Sequence, residues 1–123
     1  MSKGKYNPTY FKNHPEESIS PGVLYIVVLV NTKTNRRDCV KIGITKGTNY
    51  RDAIRRSSGF KGYEIRIQKL VQGTLEEVYY LEDYLHELWA SHRYMDSHRF
   101  GGHTELFNID QLKNILASIP DRI

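Results

Sequence analysis

An apolar run of eight residues, from Val23 to Val30, constrains the fold of this chain more than any other feature. The run is rich in β-branched residues and is apolar at both odd and even positions, which is typical of a strand covered on both faces. A membrane-spanning helix needs about 20 apolar residues, so the run is too short to cross a bilayer. It therefore predicts a central, buried strand in a protein without a membrane partner.

The composition is that of a single globular domain. The chain has 123 residues, of which 39% are hydrophobic and 26% are charged, and a chain of this size can bury one core. Its one cysteine, Cys39, cannot form an internal disulfide. A lone cysteine favours a reducing compartment, so we expect a cytoplasmic protein.

Turn, capping and alternation signals divide the rest of the chain into short elements. A polar turn at 31–38 separates the apolar run from a second short strand at 39–44, which predicts a hairpin. The later elements are a helix at 49–57, a half-exposed strand at 63–71, a long helix from 74 to about 92 that opens on a capping box, an extended piece at 105–109 and a last helix from 110. The expected fold class is α/β or α+β, with a small sheet of about three strands.

The first 21 residues differ in character from the rest. Residues 1–21 are polar and contain three prolines, with Tyr6, Tyr10 and Phe11 among lysines. This composition indicates an N-terminal polar arm ahead of a domain at 22–123. Two alternatives are open for the arm: a disordered leader, or a segment that lies on the domain or on a nucleic-acid backbone.

Charge is distributed unevenly along the chain. Residues 33–69 contain eleven lysines and arginines against three acids, whereas residues 76–87 contain five acids and neither lysine nor arginine. A basic surface of this density favours a polyanion such as DNA, and the alternative is a solvated face of a basic protein. The residues expected to contact DNA are Arg36, Arg37, Lys46, Arg56 and Lys61.

One carboxylate of the long helix occupies a position that should be apolar. At about 100° per residue, Glu82 falls in the middle of the apolar arc of that helix. The arc consists of Val78, Leu81, Leu85, Leu88 and Trp89. A buried carboxylate needs a cation, a backbone donor or a metal ion as its partner. A salt bridge to Arg51 or Arg55 and a metal ion are the two alternatives for Glu82, and His86 lies one turn later.

Two polar side chains lie on the most apolar strands. If the face of Tyr25 coincides with the face shared by Lys41 and Gly43, a phenol and an ammonium converge. The absence of a side chain at Gly43 leaves room for a ligand to approach. Arg51 and Arg55 are four residues apart and lie on one face of the following helix. Together these residues suit the recognition of a phosphodiester.

Four short motifs follow one another along the chain: "VLY" at Val23 to Tyr25, "KIG" at Lys41 to Gly43 with Arg51 eight residues later, "EDYLH" at Glu82 to His86 and "ELF" at Glu105 to Phe107. In this order and spacing of motifs the chain resembles the GIY-YIG nuclease family. The last motif is similar to the "EWF" close of a phage-borne branch that also uses "KIG". The resemblance covers about residues 22–108. Many members have tyrosine in place of Lys41 and histidine in place of Arg55.

The resemblance implies a three-stranded antiparallel sheet flanked by helices and metal-dependent hydrolysis of DNA. Tyr25 would take a proton from the attacking water, directly or while Lys41 holds that proton. Arg51 would hold the scissile phosphate, with Arg55 in support. His86 would add a catalytic acid or base.

The resemblance also implies one Mg²⁺ or Mn²⁺ ion, bound by Glu82, because hard cations prefer carboxylate and water oxygens. Gly43 and Glu105 would support the site. The expected partner is DNA, no organic cofactor is expected, and the protein is a monomer or a homodimer. A compact form of this kind suits a phage or mobile-element endonuclease that nicks DNA or cuts both strands.

Two other functions are open. The main alternative is a catalytically inactive nucleic-acid-binding module of the same fold, and a third is a protein-interaction domain. A zinc site built from His86, His92 and His98 is disfavoured, because steps of six residues do not repeat on one helical face and no cysteine is near.

Overall fold

The computed structural model describes residues 6–47, 49–58, 61–94 and 105–121. Four strands form one antiparallel sheet in the order β3-β1-β2-β4, with helices on both faces. The strands are β1 (Pro21–Asn31), β2 (Arg36–Lys46), β3 (Tyr63–Thr74) and β4 (Leu106–Asn108). The helices are α1 (Pro8–Asn13), α2 (Pro15–Ser18), α3 (Tyr50–Ser58), α4 (Leu75–Leu88) and α5 (Leu112–Ala117), and 3₁₀ turns occupy Ala90–His92 and Ile109–Gln111. The expected class, a small antiparallel sheet flanked by helices, is confirmed.

The apolar run forms the middle of the sheet. β1 pairs with β2 on one side and with β3 on the other, and each residue from Val23 to Val30 is at most 2% exposed. Even-numbered side chains such as Leu24 and Ile26 pack with α4, whereas odd-numbered side chains such as Val27 pack with α3. Full burial of one such side chain contributes about 1.5–3 kcal/mol. The prediction of a strand covered on both faces is confirmed.

The sheet has four strands where the sequence predicts three. β4 is three residues long and pairs with residues 39–41 of β2. A strand this short carries too few residues for an alternating pattern to show, so the sequence indicates only a short extended piece. The length of β4 matters for the site, because its ladder ends at the pair of Leu106 with Lys41.

The β1–β2 hairpin is longer than expected and its turn is shorter. The turn occupies residues 32–35, and Asn35 takes a left-handed conformation with φ of 57°. Asparagine tolerates positive φ better than most residues, so it can adopt the conformation that closes this short turn. As a consequence Arg36 and Arg37, which the sequence places in the turn, are the first residues of β2 and pair opposite Asn31 and Val30.

The described part of the N-terminal arm is folded onto the domain. Prolines at the first positions of α1 and α2 fit helix starts, where no amide hydrogen is required. Phe11 is 3% exposed, and its ring packs edge-on against Tyr79 of α4 with centroids 5.5 Å apart. The amide of Leu75 donates to the carbonyl of Ser20 at 2.7 Å. Of the two alternatives for the arm, residues 6–20 therefore follow the packed one, while residues 1–5 lie outside the described residues.

Helix α4 begins as predicted and ends earlier. The hydroxyl of Thr74 accepts from the Glu77 amide at 3.1 Å, and the Glu77 carboxylate accepts from the Thr74 amide at 2.8 Å. This is the predicted capping box. The helix ends at Leu88 rather than near residue 92, and Leu88 is 46% exposed while Leu85 is buried. Within the described ranges, no helix is long and apolar enough to span a bilayer.

The capping box gives a first prediction. Thr74→Ala removes the acceptor for one amide at the start of α4, so the free energy of unfolding should fall by about 1 kcal/mol in urea titrations. Thr9→Ala, at an exposed position within α1, is the matched control and should change it by less than about 0.5 kcal/mol. An equal effect of both substitutions would show that the capping box does not stabilise α4.

Candidate active site

The structure brings Tyr25, Gly43 and Lys41 together on the face of the sheet that α3 covers. Tyr25 pairs opposite Gly43, and Val27 pairs opposite Lys41, so all four residues share one face. A Cβ atom added at Gly43 would lie 2.5 Å from Tyr25 Cζ and closer still to its Oη, which means that the phenol lies directly over this glycine. Lys41 Nζ is 5.7 Å from the centroid of the Tyr25 ring.

Lys41 carries a charge in an almost dry environment. The residue is 1% exposed, and its Nζ lies 3.8 Å from Oε2 of Glu105. Burial lowers the pKa of the Lys41 ammonium below its ordinary value, although the negative charges of Glu105 and Glu82 act in the opposite direction. Lys41 is thus desolvated and under the influence of two carboxylates.

Glu82 and His86 approach from the other face, on α4. They are 2% and 1% exposed, so the prediction that Glu82 points inward is correct. His86 Nε2 lies 3.0 Å from the carbonyl oxygen of Ile42 and 4.0 Å from Oε2 of Glu82. A carbonyl oxygen only accepts, so Nε2 of His86 carries a hydrogen and donates a hydrogen bond to the Ile42 carbonyl.

The two faces meet at the edge of β2. The Ile42 amide donates to the carbonyl of Glu105 at 3.1 Å, just before β4 begins. His86 reaches the carbonyl of the same Ile42 at this edge. The sequence analysis missed the role of Ile42, because a backbone carbonyl leaves no signal in a pattern of side chains. The short β4 therefore lets α4 contribute polar groups next to Lys41.

The two arginines occupy a separate position on α3. Arg51 and Arg55 are exposed and line a pocket of about 90 Å³ together with Ile54, Ile65 and Ile67. Arg55 Nη1 lies 3.9 Å from Asp52. In the part of the chain that the structure describes, no ion pair joins either arginine to Glu82. Of the two alternatives for Glu82, the salt bridge to Arg51 or Arg55 is therefore excluded, because α3 and α4 cover opposite faces of the sheet.

The residues expected to bind DNA are all exposed, but they form two groups rather than one. Arg36 and Arg37 begin β2 and Lys46 ends it. At about 3.3 Å per residue, the two ends of this strand are some 30 Å apart. Arg56, on the last turns of α3, joins Lys46 in lining one pocket, and Lys61 follows α3 in an exposed turn.

The donor set near Glu82 suits at most a weak metal site. Among residues 6–47, 49–58, 61–94 and 105–121, no cluster of three or more histidine, cysteine or acidic side chains is arranged to hold a metal ion. An ion at Glu82 would take most of its ligands from water or from a bound phosphate. Mg²⁺ keeps several waters when it binds to proteins, so a single carboxylate fits this ion.

These observations define an α/β domain with a desolvated, charged site at the edge of its sheet. Residues 22–121 match the T5orf172 domain, and the chain belongs to this family. The T5orf172 domain is phage-associated and is often nuclease-like. No curated protein and no solved structure matches the chain.

The close contact at Gly43 gives a second prediction. Gly43→Ala forces the Tyr25 ring to move, so the free energy of unfolding should fall by about 1–3 kcal/mol. In a Tyr25→Leu background the ring is gone, and the same substitution should cost much less. A double-mutant cycle by urea denaturation measures this coupling. An equal cost of Gly43→Ala in both backgrounds would contradict the observed contact.

A third prediction concerns the pKa of Lys41. Glu105→Gln removes a charge that opposes the effect of burial, so the pKa should fall further below its ordinary value. A ¹³C NMR titration of the Lys41 side chain measures this shift. Glu64→Gln, which removes an exposed acid paired with Arg66, should leave the titration unchanged. Identical titrations in wild type and Glu105→Gln would rule out the coupling.

The sign of the linked stability change follows from the same shift. The folded-state pKa of Lys41 lies below 10.5, the value of an ordinary lysine, so between the two values the unfolded chain binds more protons. Lys41 therefore makes the free energy of unfolding rise with pH across this window, up to about 10.5. Glu105→Gln should widen the window towards lower pH.

Proposed function

We propose that the protein is a metal-dependent DNA endonuclease of GIY-YIG type. The observation that carries the proposal is the gathering of Tyr25, Lys41, Glu82 and His86 at one stretch of the β2 edge, from both faces of the sheet. A phenol, a desolvated ammonium, a buried carboxylate and an imidazole are groups that move protons and stabilise charge. Membership of a family that is often nuclease-like points in the same direction.

Proton transfer is assigned to Tyr25 and Lys41. The phenol of Tyr25 takes a proton from the attacking water, either directly or while Lys41 holds that proton. Gly43 supports this assignment, because the ring lies against it and a larger residue would displace the phenol. The lowered pKa of Lys41 brings its amine closer to a pH at which it exchanges protons.

Stabilisation of the negative charge on the phosphate is assigned to the arginines of α3. Ile54 lies between Arg51 and Arg55 in sequence, is 1% exposed and packs in the same cluster as Tyr25. The two arginines are therefore on the helix that covers the face of the sheet carrying Tyr25. In the proposal Arg51 binds the scissile phosphate through its guanidinium, and Arg55 supports it.

Glu82 would hold one Mg²⁺ or Mn²⁺ ion. When bound, such an ion supplies stabilisation for negative charge on the leaving oxygen. The remaining contribution of the chain is positional: His86 is hydrogen-bonded to Ile42 and thereby fixes the side of α4 that carries Glu82. Glu105, which precedes β4, holds Lys41 in place through their ion pair.

One observation favours a second candidate, a nucleic-acid-binding module without turnover. Lys41 is paired with Glu105, and Glu82 lies beside His86, so the buried charges have protein neighbours. A satisfied network of this kind can be purely structural. The exposed basic residues at both ends of β2 would then bind DNA by charge alone.

Cleavage of supercoiled plasmid separates the two functions and gives a fourth prediction. With Mg²⁺, Glu82→Gln and Arg51→Ala should each reduce nicking by about 100-fold or more, since each removes a group that acts on charge in the transition state. EDTA should abolish nicking. Glu87→Gln, at an exposed position on the same helix, is the control and should nick normally.

Circular dichroism and thermal unfolding must show that each variant stays folded. Undiminished nicking by Glu82→Gln would eliminate the proposed ion site. Salt-sensitive DNA binding by the wild-type protein, with no nicking at any Mg²⁺ concentration, would establish the binding module instead.

A further inference from the structure

A second, larger pocket lies along the same edge of β2. It has a volume of about 440 Å³, within the range of small-ligand sites. Its lining includes Tyr6, Ile44, Lys46, Asn49, Ala53 and Arg56. Tyr6 comes from the N-terminal arm, which packs with α4, while the last three residues come from α3 or the turn before it. The pocket therefore spans the β2 edge between the two faces of the sheet.

One wall of the pocket is a fixed aromatic ring. The ring of Tyr6 is stacked on Phe11 with centroids 5.8 Å apart and an angle of 7° between the planes. Phe11 is buried and packs against Tyr79 of α4. This chain of ring contacts ties Tyr6 to the core, so the ring is placed before any ligand arrives. Planar aromatic walls bind nucleobases by stacking.

The pocket lining also includes two cations, Lys46 and Arg56. Lys46 is ion-paired with Glu17, and the hydrogen bond that its ammonium donates to this carboxylate raises the pKa of Lys46. Glu17 also accepts a hydrogen bond from the hydroxyl of Tyr10. Arg56 adds a second cation, so the lining carries one positive charge in excess of Glu17. Phosphate oxygens are the natural ligands of such a pair.

Part of the lining is apolar and small. Ile44 and Ala53 are half-buried there, and Asn49 offers an amide at the rim. An aromatic wall, an apolar part of the lining and two cations match the base, the sugar and the phosphate of one nucleotide. A duplex does not fit this arrangement, because a base that stacks on a protein ring must leave its own stack.

The position of the pocket relates it to the candidate active site. Lys46 follows Gly43 by three residues of β2, which corresponds to about 10 Å of strand. Among the described residues, β4 covers β2 only as far as Lys41, so the edge between the two sites is not paired by β4. A strand of DNA lying along this edge would contact both sites.

We propose that this pocket binds one unpaired nucleotide beside the phosphodiester that is cleaved, which makes single-stranded or branched DNA the substrate class. This inference rests on the proposed endonuclease function. Tyr6 stacks on the base, and Lys46 and Arg56 bind its phosphate. The N-terminal arm is then part of the substrate site rather than a simple extension.

The test measures binding without cleavage. A fluorescein-labelled ten-nucleotide strand of thymidines and a labelled 20-base-pair duplex are titrated by anisotropy in EDTA. Tyr6→Ala should weaken binding of the single strand about tenfold, with under twofold change for the duplex, since one stacked base is worth about 1–3 kcal/mol. Tyr6→Phe keeps the ring and should bind within about twofold of wild type.

Charge variants test the two cations. Arg56→Gln should reduce the slope of log affinity against log salt for the single strand by about 0.7, the loss of one phosphate contact. Lys12→Gln removes the same charge from an exposed position on α1 and is the control; its slope should match that of wild type. Thermal unfolding confirms that α1 stays packed in each variant.

The outcomes separate this pocket from the nuclease proposal. Because no metal is present, the binding results stand whether or not the protein nicks plasmid. The pocket is overturned if wild type does not bind the single strand, or if Tyr6→Ala affects strand and duplex equally or neither. It is supported if Tyr6→Ala weakens binding of the single strand and leaves binding of the duplex unchanged. Plasmid nicking by the wild-type protein is compatible with either result.

Discussion

Burial of the Lys41 ammonium is the constraint on which the site depends. At 1% exposure the ammonium has lost its hydration, and an unpaired charge in such a place costs several kcal/mol. Glu105, just before β4, and Glu82, on α4, place their negative charges where they act against this desolvation. The start of β4 and the packing of α4 are therefore linked, because each supplies a charge that Lys41 requires.

The shortness of β4 has a further consequence for the surface. A longer β4 would continue the ladder past Lys41 and cover the edge that His86 reaches through the Ile42 carbonyl. Exposed strand edges invite pairing with other chains, and proteins commonly protect them with charged residues. Here Lys46 stands near the end of that edge. The same edge thus carries the candidate active site and the pocket of Tyr6, within reach of one extended ligand.

Features that depend on local sequence could be predicted, whereas features set by tertiary contacts could not. The run from Val23 to Val30 identified the central strand, and Thr74 with Glu77 identified the start of α4. Glu82 was found because a carboxylate within an apolar helical arc conflicts with burial. Each of these signals lies within one element, where periodicity or capping chemistry decides the structure.

The remaining features arise between elements. β4 is too short for its alternation to be read, and it exists because Phe107 packs into the core beside β2. The arm looks polar in sequence, yet Phe11 anchors it to Tyr79 across almost seventy residues of chain. The choice between the two alternatives for Glu82 was left open by the sequence, which does not state which face of the sheet a helix covers. Arg51 and Glu82 are on helices that pack on opposite faces.

The direction of the Lys41 pKa shift bears on the choice between catalysis and simple binding. Where the attraction of the partners exceeds the cost of desolvation, the pKa of a buried lysine rises. For Lys41, desolvation outweighs the attraction of both carboxylates and the pKa falls. A charged Lys41 therefore costs the fold stability at neutral pH. In the proposed nuclease this cost would come from placing an amine beside Tyr25, whereas in a binding module it would come from burying the Lys41–Glu105 pair.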